Sequence, residues 1–200
     1  SNAELLEGAG LTDKPARWSG NIRLEAEQMR TLVEQMLTLA RADNGVRPAT
    51  MEPVNLSDVA TDCALAFEPV AFEAGKPLED HIADEVAVTG DADRLRRLVS
   101  ILLDNAVKYG AEGGAISLTR EKTERQARLT VANPGEPIPP EHLAHLFERF
   151  YRADSSRGEK SGFGLGLSIA DTIAKEHKGT LRAESDAVST RFIFTMPLKK

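Results

Sequence analysis

Three glycines at alternate positions, followed directly by an apolar segment of helical character, constrain this chain more than any other feature. They lie in the segment KSGFGLGLSIA as Gly162, Gly164 and Gly166. Glycine lacks a Cβ, so its N–H can approach a ligand closely, and a helix starting there adds unpaired N–H groups suited to phosphate. A P-loop is excluded, because it requires Lys-Ser/Thr at the position of Leu167-Ser168. A Rossmann motif is also excluded, because it requires a strand before the glycines, where this chain has the polar stretch Tyr151–Ser161. The glycines therefore indicate phosphate binding of another type.

The amino-acid composition limits the classes of protein to which this chain can belong. The chain has 200 residues, which suits one ordinary domain or one domain with a helical appendage, and its 41% hydrophobic and 28% charged residues are typical of globular proteins. Its net charge of −6 argues against nucleic acid as the main partner. The single cysteine, Cys63, excludes an internal disulfide and fits a reducing compartment. Ser1-Asn2-Ala3 resembles the remnant of a cleaved tag, which suggests a piece of a longer protein.

The first part of the chain carries the apolar pattern of an amphipathic helix. The repeating residues are Ile22, Met29 and Met36, with Leu32 and Leu39 between them. This spacing predicts a helix over about Ser19–Ala42, preceded by a break at Gly8–Pro15 and ended by Asp43-Asn44-Gly45. The helix is too short for a free-standing coiled coil, so we expect its stripe to pack in a bundle or a homodimer.

From Met51 onward, short strands alternate with helices. Predicted strands are Glu52–Leu56, Leu78–Ile82, Glu85–Thr89, Ala115–Arg120, Ala127–Ala132, Leu181–Glu184 and Thr190–Met196. Predicted helices run from Ser57 as N-cap to about Ala74, from Asp91 as N-cap to Tyr109, over Glu141–Phe150, and from about Gly164 to His177. We expect the second and third strands to pair around Ala83-Asp84, and the fourth and fifth to form a hairpin.

This alternation predicts an α/β fold, a two-layer sandwich of one mixed sheet with about three helices on one face. The long amphipathic helix precedes it. The boundary is expected near Asp43–Met51, which divides the chain into residues 1–45, the helical piece, and residues 46–200, the sandwich.

Two polar residues of the helix Asp91–Tyr109 point to chemistry. Asn105 and Lys108 are three positions apart and share a face beside the apolar stripe. An amide oxygen can bind Mg²⁺, and a lysine offers a point charge for phosphate. The alternative is a solvated helix end with a lysine favourably placed near the C-terminus. From these two residues alone, both a ligand-binding site and a solvated helix end are possible.

Four segments in order resemble the boxes of the ATP-binding domain of bacterial sensor histidine kinases, a branch of the Bergerat-fold (GHKL) ATPases. ILLDNAVKY resembles the N box, VANPGEPIP the first glycine box, LFERFYRAD the F box, and SGFGLGLSIA the second glycine box. The helix IRLEAEQMRTLVEQMLTLARAD resembles the second helix of the dimerisation and histidine-phosphotransfer domain. The resemblance covers nearly the whole chain and implies transfer of the ATP γ-phosphoryl to a histidine, then to a response-regulator aspartate.

The resemblance also implies roles by position. Asn105 would bind Mg²⁺, Lys108 and Tyr109 would lie near the phosphates and ribose, and Asp104 matches a base proposed in some members. Asn133 would face the adenine amino group, and Gly135 would permit close backbone approach. Candidate walls of the adenine pocket are Ile138, Phe150 and Leu165. Gly162, Gly164 and Gly166 would cradle the phosphates under a lid of about Tyr151–Ser161. Arg149 and Arg152 would contact phosphate or the helical domain. For Asp104 a solvated aspartate, and for the arginines surface pairs with Glu148 or Asp154, are the alternatives.

Two departures from the family pattern matter. Most members have Asp where Asn133 stands; the amide oxygen still accepts from the adenine N–H but lacks the charge. The NPG form resembles that of heavy-metal-responsive sensor kinases. The phosphoacceptor histidine context, His-Glu/Asp followed by Pro, is missing: His81, His142, His145 and His177 are interpreted as structural or surface residues. We therefore expect no phosphorylation in cis.

The resemblance implies ATP and Mg²⁺ as ligands. The implied partners are the phosphoacceptor helix of the same kinase or its dimer mate, and a response-regulator receiver domain. The chain would be the cytoplasmic portion of a membrane-anchored sensor. Two alternatives stay open: a Bergerat-fold ATPase that uses Asp104 as its base, and a nucleotide-binding pseudo-kinase that acts through partners without catalysis.

Overall fold

The protein is divided into two compact units. The computed structural model describes residues 13–43, 49–82, 86–152 and 163–199. The units are Ser1–Asn44 and Gly45–Lys200. Among the described residues, no helix combines the length and the apolar character that crossing a membrane requires.

The first unit contains the helix α1, Asp13–Asp43. The amphipathic helix is thus confirmed, but it starts six residues before Ser19, the predicted start. The predicted break at Gly8–Pro15 is wrong over its last three residues, and the rest of it lies outside the described residues. Pro15 is tolerated because it stands in the first turn, where its missing N–H would have no helical partner. The apolar stripe of α1 is exposed, as Ile22 at 60% and Met29 at 61% show.

The second unit is built from strands and helices in the following order. They are β1 (Glu52–Asn55), α2 (Leu56–Glu73), β2 (Leu78–Ile82), β3 (Ala87–Gly90), α3 (Ala92–Tyr109), β4 (Ile116–Lys122), β5 (Gln126–Asn133), α4 (Pro140–Leu143), α5 (Gly166–Glu176), β6 (Thr180–Ser185) and β7 (Thr190–Pro197). The helices α2, α3 and α5 pack on the sheet, and α3 packs against both α2 and α5.

The main sheet has five strands in the order β2-β4-β5-β7-β6. β2 and β4 are parallel and the other neighbours are antiparallel, so the sheet is mixed. Alternate residues of its central strands are buried, for example Leu118 in β4 and Leu129 in β5. α2 packs against β4 and α3 against β5, and the buried stripe of α3 includes Leu98 and Leu102. The predicted two-layer sandwich is confirmed.

One predicted strand pair is wrong. β2 and β3 do not pair around Ala83-Asp84; β2 pairs in parallel with β4, and β3 pairs with β1 in a separate two-stranded antiparallel sheet. The partner of β2 arrives only after α3 has crossed the sheet. A parallel pairing of that kind is set by tertiary packing and not by the residues between the two strands.

Several helix ends also differ from their predictions. Ser57 is not the N-cap of α2, because Asn55 fills that position and its Oδ1 accepts the Ser57 N–H at 3.0 Å. The helix predicted over Glu141–Phe150 extends only over Pro140–Leu143 and is followed by turns. α5 begins at Gly166 and not at Gly164, because Gly164 has a left-handed φ of 69°.

Asp91 is the N-cap of α3, as predicted. Its Oδ1 accepts from Arg94 N at 3.1 Å and its Oδ2 from Thr50 N at 3.0 Å. Partial burial alone would raise the pKa of Asp91, but the Arg94 and Thr50 N–H groups and the Arg94 guanidinium together hold the pKa below its ordinary value. The carboxylate thus fixes both the start of α3 and the segment before β1.

His177 joins the end of α5 to the start of α3. The ring is buried, its Nε2 accepts from Asp91 N at 2.9 Å, and its Nδ1 lies 2.8 Å from Ile173 O. Nδ1 therefore carries the ring proton, and His177 is a structural residue that acts through these two hydrogen bonds. His81 and His145 are exposed.

The C-terminus of α5 forms a Schellman motif. Gly179 N donates to Ala174 O at 2.9 Å, and Lys178 N donates to Lys175 O at 3.0 Å. The left-handed residue of the motif is Lys178, with φ 55°, and not the glycine that follows it. Lysine at this position pays the steric penalty that glycine avoids.

Lys178→Gly is expected to stabilise the second unit. Because glycine adopts the left-handed conformation freely, the free energy of unfolding should rise by about 0.5–1 kcal/mol. Urea denaturation followed by circular dichroism measures it. Lys175→Gly, the same exchange inside α5, is the control and should destabilise by about 1 kcal/mol. If both variants changed the free energy of unfolding in the same direction, the assignment of the strain to Lys178 would be contradicted.

Candidate functional site

The last two turns of α3 carry four of the predicted residues. Asp104, Asn105 and Lys108 are partly exposed, and Tyr109 is 52% exposed. The opposite side of the helix is fully buried, including Leu102, Leu103 and Ala106. This burial fixes the rotation of α3, so that the four polar residues lie together at the surface.

Asn105 and Lys108 have defined partners on their own helix. Asn105 Nδ2 donates to Ile101 O at 2.8 Å, which leaves Oδ1 as the atom available to a cation. Lys108 Nζ lies 2.7 Å from Asp104 Oδ2, an ion pair one turn apart. The pair is partly solvated and adds little to stability. Its effect is positional, because it holds the ammonium group along the face that carries Asn105.

The Asn133–Gly135 segment docks against the end of α3. Ala111 N donates to Pro134 O at 2.8 Å. A Cβ placed on Gly135 would lie 3.3 Å from Tyr109 O and 3.6 Å from Asn133 Nδ2. Gly135 thus permits a close backbone approach, and the backbone that it approaches here is that of Tyr109. The first glycine box and the N box therefore meet at this point.

Asn133 ends β5 and is 5% exposed. Its Nδ2 donates to Pro134 O at 3.2 Å, so Oδ1 is the free acceptor of the amide. Its neighbour across the sheet is Thr190, which is equally buried. Thr190 Oγ1 lies 2.7 Å from Ser185 Oγ, and Ser185 Oγ accepts from Ile138 N at 2.9 Å. The sequence did not single out Ser185 or Thr190, because only the pairing of β5, β6 and β7 brings them to the site.

Gly164 lies against the backbone of the F box. Phe150 N donates to Gly164 O at 2.9 Å. A Cβ on Gly164 would lie 2.6 Å from Tyr151 O and 2.7 Å from Phe150 C, which is too close for any other residue. Phe150 itself has a left-handed φ of 65° and is 58% exposed. Gly164 is therefore required for contact between two segments of the protein. Gly162 lies outside the described residues.

Gly166 begins α5 beside α3. A Cβ on Gly166 would lie 3.4 Å from Ile101 Cγ2, in the turn whose carbonyl holds Asn105. The N-cap, Leu165, is fully buried and gives no side-chain hydrogen bond to the helix. The first N–H groups of α5 have no partner within the helix by its geometry, and they carry its positive dipole end. The start of α5 and the Asn105 turn are thus adjacent.

The F box and the predicted lid are only partly described. Tyr151 OH lies 2.6 Å from His142 Nδ1, and its ring centroid is 5.4 Å from that of His145. Arg152 is exposed, and the remainder of the predicted lid, residues 153–161, lies outside the described residues. A lid and a phosphate contact by Arg152 stay predictions.

The residues present fit a magnesium ion that is bound together with a nucleotide. Among the described residues, no group of three or more His, Cys, Asp or Glu side chains could hold a metal ion by itself. Mg²⁺ is usually held through one or two protein oxygens plus substrate phosphates and water. Asn105 Oδ1 provides one such oxygen, so the site suits Mg²⁺ only when phosphates are present.

Comparison with known proteins identifies the family of the chain. The family described as histidine kinase-, DNA gyrase B-, and HSP90-like ATPase matches residues 90–200. Over 174 residues the chain is 41% identical to the sensor histidine kinase CusS of Escherichia coli K12, covering 86% of this chain and 36% of that protein. Over 182 residues it is 34% identical to the sensor protein DltS of Streptococcus agalactiae, covering 91% and 46%. The chain thus spans less than half the length of these relatives.

Solved structures show the same fold. Full-length ShkA in complex with AMPPNP aligns with a TM-score of 0.84 and 25% identity, covering 100% of this chain and 42% of that one. The mycobacterial sensor histidine kinase MprB aligns with a TM-score of 0.64 and 27% identity, covering 75% and 99%. The chain therefore belongs to the histidine kinase-, DNA gyrase B- and HSP90-like ATPase family, and the relatives that it matches are sensor histidine kinases.

Proposed function

We propose that this chain is the catalytic, ATP-binding region of a two-component sensor histidine kinase. It transfers the γ-phosphoryl group of ATP to a histidine on a phosphoacceptor helix of the same kinase or of its dimer mate. One observation carries the proposal: the C-terminal half of α3 contacts both the Asn133–Gly135 segment, through Tyr109, and the start of α5, through Ile101. The sensor kinases among its relatives favour this branch of the family.

Phosphoryl transfer needs positioning and neutralisation of charge more than covalent chemistry by the protein. Mg²⁺ bound together with the nucleotide would neutralise phosphate charge, and Asn105 would hold it through Oδ1. Lys108 places an ammonium group, paired with Asp104, on the same face of α3. The free N–H groups at the start of α5, from Gly166 onward, donate to phosphate oxygens.

The nucleobase lies on the other side of this site. Asn133 Oδ1 accepts from the adenine amino group, a neutral acceptor in place of a carboxylate. Ile138, Phe150 and Leu165 form the walls, with fully buried Leu165 behind the glycines. Tyr109 and Arg152 lie toward the ribose and phosphates.

The partners follow from the sensor kinases that the chain resembles. The four histidines lack the phosphoacceptor context, so the accepting helix is supplied by another segment or another protomer. The phosphoryl group then passes to a receiver-domain aspartate of a response regulator. The exposed apolar stripe of α1 suits a helical homodimer. The chain acts as the cytoplasmic part of a membrane-anchored sensor.

Asn105→Ala is expected to remove Mg²⁺-dependent nucleotide binding. Without the amide oxygen the ion loses its protein ligand, and affinity for a non-hydrolysable ATP analogue with Mg²⁺ should fall by about 10- to 100-fold, the range typical of damaged metal sites. Calorimetric titration with and without Mg²⁺ measures it. Asn105→Asp retains an oxygen ligand and is the matched control, expected to keep the Mg²⁺ dependence.

Unchanged affinity in the Asn105→Ala variant would reject the assignment of the site. Binding by the unaltered chain should then be followed by a kinase assay with a phosphoacceptor helix added in trans. Phosphohistidine on that helix supports the kinase. Steady-state phosphate release without phosphohistidine would indicate an ATPase instead. Nucleotide binding with neither product would indicate a pseudo-kinase.

A further inference from the structure

The segment that follows Asn133 has very few backbone donors. Residues 134, 137, 139 and 140 are prolines, so the only N–H between Glu136 and Glu141 is that of Ile138. Proline-rich segments cannot join a hydrogen-bonded ladder, and this one lies outside every strand. The Ile138 N–H is therefore the one backbone donor through which residues 137–140 can be held.

The acceptor is the side chain of Ser185. Ile138 N donates to Ser185 Oγ at 2.9 Å, in a partly buried position. Ser185 is the last residue of β6, and its hydroxyl also lies 2.7 Å from Thr190 Oγ1. A serine hydroxyl has one proton to donate and two lone pairs, so it can make both bonds at once.

Thr190 links this hydroxyl to the predicted nucleobase acceptor. It pairs in register with Ser185 across β6 and β7, and with Asn133 across β5 and β7. Asn133 and Thr190 are both nearly fully buried, so this corner of the sheet is fixed. The hydroxyl of Ser185 thus ties the proline segment to the strand pair from which Asn133 emerges.

We propose that Ser185 is a positioning residue of the nucleobase pocket, which holds Ile138 at a fixed distance from Asn133. This inference rests on the proposed function, since it takes Ile138 and Asn133 as two sides of the adenine site. Ser185 needs no contact with the nucleotide. It acts through the Ile138 N–H, and its loss changes how the base meets Asn133 while the phosphate-binding side stays in place.

The test is Ser185→Ala, titrated by calorimetry with non-hydrolysable analogues of ATP and of ITP, which lacks the exocyclic amino group. Affinity for the adenine analogue should fall about 3- to 10-fold, the change that one lost hydrogen bond produces, while affinity for the inosine analogue changes little. Ser185→Thr keeps a hydroxyl and should retain the preference for the adenine analogue over the inosine analogue. Ser189→Ala is the control, because it removes another hydroxyl from the same hairpin. That hydroxyl accepts from Arg191 Nη1 at 2.9 Å, and its removal should leave the affinities for both analogues unchanged.

Amide hydrogen exchange gives a second readout, in which the Ile138 N–H should exchange faster in Ser185→Ala. If that variant does not fold, Ser185→Cys, with a weak acceptor of similar shape, takes its place. An equal loss of affinity for both analogues, or no loss of affinity for either, would overturn the role of Ser185 while leaving the proposed function intact. No binding of either analogue by the unaltered chain would reject the proposed function and this inference with it.

Discussion

Gly164→Ala is expected to lower the affinity of the chain for an ATP analogue by about tenfold or more, equivalent to about 1.4 kcal/mol. Two costs combine at this position. The left-handed φ of 69° disfavours any residue with a Cβ, and that Cβ would lie 2.6 Å from Tyr151 O. Because the clashing atoms belong to the backbone, the F box must move away from the start of α5. The hydrogen bond from Phe150 N to Gly164 O is then lost, and with it one wall of the proposed pocket.

Gly113→Ala is the matched control for this prediction. Gly113 has the same φ of 69°, but a Cβ there would meet nothing within 4 Å. The Gly113→Ala variant therefore has the unfavourable backbone conformation without the clash, and its nucleotide affinity should be unchanged. Calorimetry on both variants separates the two effects. An affinity in Gly164→Ala equal to that of Gly113→Ala would show that the contact with the F box is irrelevant to binding.

Gly179→Ala is expected to destabilise the second unit by about 3 kcal/mol, at the upper end for overpacking a tight site. Here the cost is purely steric. The added Cβ would lie 2.4 Å from Thr195 O, 2.9 Å from Phe194 Cε2 and 3.2 Å from Ala174 O. These atoms belong to β7 on one side and α5 on the other, so relief requires the helix to move away from the sheet. Urea denaturation measures the change.

Gly75→Ala provides the comparison for stability. Gly75 follows α2 with a φ of 68°, and a Cβ there would meet nothing within 4 Å. The Gly75→Ala variant should lose only about 1–2 kcal/mol in the free energy of unfolding, because alanine is disfavoured in the left-handed conformation. A Gly179→Ala variant no less stable than Gly75→Ala would contradict the tight packing between α5 and β7.

The features that the sequence predicted correctly are those with a local physical cause. The apolar spacing of Leu95, Leu98 and Leu102 identified α3, because the helical period repeats within the segment itself. Asp91 was recognisable as an N-cap from its own side chain. Asn105 and Lys108 share a face for the same reason. Their roles toward Mg²⁺ and phosphate stay predictions until the titrations are made.

The features that were missed depend on pairing across long distances. The partner of β2 is β4, which lies beyond α3 in the chain, and no residue near β2 indicates it. Ser185 and Thr190 reach the site only because β7 pairs with both β5 and β6. Phe150 has a left-handed backbone that its residue type disfavours, so propensity could not predict it. These outcomes are tertiary and override local preference.

The position of β7 has a consequence for the order of folding. β7 is the last of the strands that the structure describes, yet it lies between β5 and β6 in the sheet. Until Thr190–Pro197 has been synthesised, β5 has an unpaired edge and β6 has no strand to join. Such long-range closure is slow, and an open strand edge invites pairing with another chain. Nascent molecules should therefore need protection until these 8 residues emerge from the ribosome.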